Sequence, residues 1–130
     1  MIRIVAFAAM LASASVAAAE PLTVRTGETW LFSIQRGEPA RARKVEPSAN
    51  PRRGEVKVSV RAAFGTMMTI TNNSRIGYTF TAELIDGDGK ATAARTCTLP
   101  PGNKPALETW PQKAAAVRIS AFKPAEDGRC

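Results

Sequence analysis

The chain contains no histidine. That absence excludes the usual general base, every Ser-His or Cys-His nucleophile pair, and the commonest zinc ligand. Cysteine is scarce: Cys97 and Cys130 are the only two, and they read as one disulfide rather than as a nucleophile and a spare. Carboxylates are few as well, chiefly Glu83, Asp86, Asp88, Glu108 and some in loops. A glycosidase needs two carboxyl groups facing each other across its bond, and no spacing here places such a pair. Long apolar runs are missing after the first few residues. No catalytic residue, cofactor or resident metal is expected, and the chain is expected not to be an enzyme.

What is present begins with an address. Residues 1–19 carry a basic start at Arg3, an apolar run from Ile4 to Leu11, and small residues ending in Ala17-Ala18-Ala19 before Glu20. This is the tripartite pattern of a cleaved secretory signal peptide, and the apolar part is too short to span a bilayer. The expectation is a mature domain over residues 20–130 without a transmembrane segment, periplasmic or secreted. A domain of that size buries roughly two-thirds of its unfolded surface.

The mature chain is organised around Gly54 to Leu99. In EVKVSVRA, Val56, Val58 and Val60 alternate with Lys57, Ser59 and Arg61, the period of a half-buried strand. After Gly65, the run TMMTIT places Met68 and Ile70 on the inner face. Asn72-Asn73-Ser74 supplies turn chemistry. Tyr78, Phe80, Ala82 and Leu84 then alternate with polar partners, and Asp86-Gly87-Asp88-Gly89 is a hairpin signal. The return from Ala91 to Leu99 puts Ala93, Cys97 and Leu99 on one face. Flanking pieces fit the same scheme: Pro21 to Arg25, TWLFSIQ with Trp30, Phe32 and Ile34 on one side, a turn at Arg36 to Pro39, Ala40 to Val45 as strand or loop, the extended Pro105 to Trp110, and a closing strand with Val117, Ile119 and Ala121 inward. Short strands with turns every 8–12 residues predict an all-β fold, a single antiparallel β-sandwich of about seven to nine short strands.

Charge is unevenly spread. The chain carries +7, and residues 36–53 hold Arg36, Arg41, Arg43, Lys44, Arg52 and Arg53 against only Glu38 and Glu46. Two readings stand: a solvated basic loop that keeps a small domain soluble, or a patch in which Arg41, Arg43, Lys44, Arg52 and Arg53 meet an anionic partner. The loop has no aromatic residue on which bases could stack, so nucleic acid is not expected. In an oxidising compartment Cys97 and Cys130 read as an internal bridge tying down the C-terminal tail; pairing of Cys130 with another molecule is the alternative.

Other motifs have a bland explanation beside the sharp one. Asp86-Gly-Asp-Gly-Lys90 resembles the start of a calcium loop, but Cys97 stands where the twelfth-position Glu belongs. Asn72-Asn73-Ser74 fits a glycosylation acceptor and equally a turn. Met67-Met68 could offer thioethers to copper(I) or simply fill the core. Trp30 is expected in the core. Trp110, in Glu108-Thr-Trp-Pro111, is either a core ring or an anchor for a partner, and is retained as a candidate binding residue.

The Asn-Asn-Ser turn, the Asp-Gly hairpin, Cys97 followed by Leu-Pro-Pro-Gly, and Glu108-Thr-Trp-Pro resemble small uncharacterised exported bacterial proteins. The resemblance covers roughly Gly54 to Lys123 and implies an immunoglobulin-like sandwich without a known activity. Antibody-type Cys-Trp-Cys order is absent. The expected role is recognition of a macromolecular partner, an unknown protein, through end loops and the basic segment. The alternative is electrostatic binding of an anionic envelope component, lipid head groups or polysaccharide; a metal carrier or small enzyme is the remote third.

Overall fold

A computed structural model describes residues 18–130. Residues 1–17 of the expected signal peptide lie outside the described residues. Nine strands follow in order: β1 (Leu22–Arg25), β2 (Thr29–Gln35), β3 (Glu38–Val45), β4 (Glu55–Ala62), β5 (Thr66–Asn72), β6 (Tyr78–Ile85), β7 (Ala91–Ala94), β8 (Pro105–Trp110) and β9 (Ala116–Pro124). They form a four-stranded sheet, β1-β9-β6-β7, and a five-stranded sheet, β3-β2-β4-β5-β8. Every pairing is antiparallel. The expected all-β sandwich is therefore the observed architecture. Its strand order differs from that of antibody constant domains, from which the cysteine placement already set the chain apart.

Alternation builds the core. Val56, Val58 and Val60 of β4, Met68 and Ile70 of β5, and Phe80, Ala82 and Leu84 of β6 are buried as expected. Phe122 joins the layers: its ring stacks on Phe80 at 5.3 Å, tilts against Phe32 at 5.7 Å and meets the edge of Tyr78 at 6.1 Å. Aromatic pairs of this kind add about 0.5–1.5 kcal/mol each beyond their area burial.

Several local features depart from the expected pattern. Arg36 (φ 52°) and Gly37 (φ 79°) form a two-residue loop between Gln35 and its partner Glu38, the geometry of a type I′ hairpin. The turn is thus tighter than expected and β3 already starts at Glu38, with Pro39 tolerated because β3 is an edge strand. In β9 a bulge lifts Ala121 (φ 53°) out of register, so Phe122, not Ala121, takes the inward place. The Ala121 N–H donates to Glu38 Oε1 at 3.1 Å, holding the bulge against the neighbouring hairpin. The β7 run stops at Ala94, the residue opposite buried Ala82, and Ala93 faces solvent rather than the core. Residues 95–98 leave the ladder before Leu99 bridges Tyr78.

The connection over residues 46–54 runs from the end of β3 to the start of β4, crossing the outer face of the five-stranded sheet. Lys57 on that face donates its ammonium to the Pro47 carbonyl. Leu31 lies on the same face, opposite Arg43 and Lys57, and is only 2% exposed. The crossing segment is therefore tied to the face it crosses as well as charged.

Candidate functional site: a basic end of the sandwich

The fold divides the basic segment. Arg43 points onto the outer sheet face and closes a two-pronged ion pair with Glu55, at 2.6 and 3.2 Å. The Arg43 guanidinium holds the Glu55 carboxyl below its ordinary range, helped by the Arg52 N–H, and Glu55 raises Arg43 in return. Lys44 sits at the far end of β3, 3.6 Å from Glu28. Glu28 is lowered first by the Arg25 N–H, then by the Trp30 indole and Lys44. The register of β3 with β2 shifts between Arg43 and Ala40, and Arg41 (φ 53°) sits in the resulting bulge, exposed on the sheet edge. Arg52 and Arg53 lie exposed ahead of β4, at the opposite end of the sandwich from Lys44.

What the topology assembles instead is one end of the sandwich. Loops from separate parts of the chain are laced there by main-chain hydrogen bonds. The Gly54 N–H donates to Asn73 O at 2.6 Å, Gly102 N–H to Ser74 O at 2.8 Å, Asn103 N–H to Asn72 O at 2.8 Å, and Ala125 N–H to Gly77 O at 2.9 Å. On the other flank Phe122 N–H donates to Gly37 O at 2.7 Å. Side chains reinforce the lacing: Asn73 Nδ2 donates to Pro51 O and Asn72 Nδ2 to Ile76 O. This end carries Arg36, Arg52, Arg53, Arg75, Lys104 and Lys123, all exposed. Among the described residues none of the six makes an ion pair. Ile76, a large apolar side chain 49% exposed, sits among them. Glu20 and Glu126 stand at the rim, and Glu38 is turned inward to Ala121. Arg75, Lys104 and Lys123 were missed in the sequence because each is an isolated cation. Only their shared position at strand ends could have grouped them.

Trp110 is 8% exposed and packs on the core. Its indole N–H donates to Arg95 O at 2.9 Å. Beside it, buried Glu108 accepts the Cys97 N–H at 2.6 Å. Together they tie β8, an edge strand, to residues 95–97, and the Cys97–Cys130 disulfide fixes the tail alongside. A cleft of about 570 Å³ runs along this seam, lined by Leu84, Thr96, Trp110 and the disulfide among others.

The remaining motifs take local duties. Asp86 Oδ1 accepts the N–H groups of Asp88 and Lys90 and closes the hairpin. Asn73 and Ser74 bond within the end loops. Met68 is in the core and Met67 on the opposite face. Among the described residues no three His, Cys, Asp or Glu side chains gather as a metal site, and no helix is long and apolar enough to cross a membrane. The class defined by the fold is an all-β sandwich of two antiparallel sheets stapled at its C-terminus. In comparison with protein-family models, curated proteins and solved structures, nothing matches the chain.

Proposed function

We propose that this is an exported, non-enzymatic binding protein that recognises a macromolecular partner through the end loops and the basic residues they display. The observation that carries the reading is the convergence of six cations without ion-pair partners on one laced end. Like charges held together repel and destabilise a compact chain, so their concentration is better explained by a partner than by solubility. The missing histidine supports a non-catalytic role. The intramolecular disulfide and the apolar N-terminal run support export. Kinship with immunoglobulin-like exported sandwiches is part of the same proposal, and rests on the two-sheet antiparallel build.

A second reading, electrostatic binding of anionic envelope components, is favoured by the lack, among the described residues, of an exposed aromatic ring at this end. Both are tested by capture from an envelope extract, using the native protein and a variant with Arg36, Arg52, Arg53, Arg75, Lys104 and Lys123 changed to Gln. Loss of retention in the variant is the expected result; unchanged retention rejects this end as the site. A protein partner that survives a high-salt wash supports the first reading, since packed interfaces outlast screening. Release of all bound material by salt supports the second.

A further inference from the structure

We infer that the basic end docks on a phosphate-bearing anionic lipid surface, with Ile76 entering the interface and Arg52, Arg53, Arg75 and Lys104 ringing it on the head groups. This rests on the electrostatic reading of the same end.

Three observations select a lipid surface. The first is the composition of the end. Ile76 is 49% exposed beside Arg75, on a loop that main-chain hydrogen bonds join to the segments carrying Arg53 and Lys104; an apolar group there gains more from an acyl boundary than from a hydrated sugar polymer, as in interfacial anchors. The second is the shape of the contact. Arg36 comes from the β2–β3 tip, Arg52 and Arg53 from the start of β4, Arg75 from the β5–β6 loop, Lys104 from the start of β8 and Lys123 from the end of β9. Those points spread across the ends of both sheets, which suits a planar array of charges better than one linear chain. The clefts along the Trp110 seam and over the outer sheet face lie elsewhere. The third is rigidity. Ile76 O is held by Asn72 Nδ2 at 2.7 Å, Ile76 N–H by Ser74 Oγ at 3.2 Å, and Gly77 O by Ala125 N–H at 2.9 Å. The apolar residue is presented by a fixed loop, so little ordering is required on docking. Arginine suits the head groups because its guanidinium binds phosphate oxygens in pairs.

The test uses the disulfide-bonded protein with vesicles of phosphatidylcholine alone and of phosphatidylcholine mixed with phosphatidylglycerol. Binding to the mixed vesicles and not to the neutral ones is expected, weakening as salt is raised. Arg52→Gln/Arg53→Gln/Arg75→Gln should lower the partition coefficient about a hundredfold, at about fivefold for each charge. Ile76→Ser should lower it about tenfold while leaving the salt dependence unchanged. In a separate variant, Ile76→Trp, the emission of the introduced indole should shift to the blue on binding. Lys90→Gln, at the other end, should change nothing. The proposal is overturned by indifference to anionic vesicles at low salt, by binding that survives the triple substitution, or by emission of the Ile76→Trp variant that does not move. If vesicles are ignored while envelope retention still depends on the six cations, the lipid fails and the binding end stands. If envelope retention does not depend on them, the proposed function fails first.

Discussion

Removing the Cys97–Cys130 bond tests how the tail is held. The two cysteines are 33 residues apart. Cross-linking that span removes loop-closure entropy from the unfolded chain, equivalent to about 3.7 kcal/mol at 25 °C in the chain-entropy treatment. Part is returned in the folded state, because the freed tail regains motion. Its other ties near the bridge are Thr98 N–H to Arg129 O at 2.6 Å and Arg129 N–H to Thr98 Oγ1 at 3.1 Å, between half-buried Thr98 and exposed Arg129. Ala125 N–H to Gly77 O marks where fraying should stop. A net loss of about 2.5–3.5 kcal/mol is expected for Cys97→Ser/Cys130→Ser relative to the oxidised protein. At roughly 4 °C per kcal/mol for a domain near this size, melting should fall by about 10–14 °C. Urea unfolding followed by fluorescence supplies both the free energy and the slope m. The slope should rise, since an unbridged chain exposes more surface on unfolding. A loss under about 1 kcal/mol with unchanged m would refute the reasoning, for the unfolded chain would then not be constrained by the loop.

Gly65→Ala would put a Cβ 2.2 Å from the Trp110 carbonyl oxygen at a φ of +119°, and a loss of about 2–4 kcal/mol in urea unfolding is expected; neutrality would refute the close approach of the β4–β5 hairpin to β8. Phe122→Ala empties the centre of the aromatic cluster and should cost about 3–5 kcal/mol, measured by the same transition. Glu55 has its folded-state pKa depressed by Arg43, so its contribution is present above the ordinary glutamate value of about 4.3 and is lost as pH falls through the lower folded value. Glu55→Gln should therefore be less stable at neutral pH and show a flatter acid limb between those two values; an unaltered limb would show that the pair contributes nothing in solution.

Strands are legible in this sequence wherever large side chains alternate, as in Val56, Val58 and Val60 or in Phe80, Ala82 and Leu84. Where the apolar residues are small or adjacent, the period loses its direction. β7 offers only alanine and threonine, so nothing in ATAA says that Ala94 rather than Ala93 faces inward. In β9 the step Ala121-Phe122 reads as inward then outward, and only the bulge, held by Glu38 from another hairpin, reverses it. Glu108 is hidden for a different reason: a carboxylate looks like a solvent residue until a buried donor, here the Cys97 N–H, requires it. The basic segment was legible as composition and misleading as geometry, because the crossing connection between β3 and β4 carries neighbours in sequence to opposite ends of the sandwich.

That crossing also separates the charges that serve the fold from those that do not. Arg43, reaching across β2 to Glu55, and Lys44 and Arg118, on a neighbouring turn and strand, are each spent on a carboxylate. The end loops need no such pairing, because main-chain groups at Gly54, Gly102, Asn103 and Ala125 and the Asn72 and Asn73 amides already fix them. Arg36, Arg52, Arg53, Arg75, Lys104 and Lys123 can then be changed without removing a partner from anything buried, and surface changes of that kind usually alter stability by less than about 0.5 kcal/mol each. Mutual repulsion among them makes their neutralisation neutral or slightly stabilising. A binding loss on their removal would report the proposed partner and not the fold, which makes this end, unlike the Trp110 seam, a surface whose charges can be removed while the sandwich stays intact.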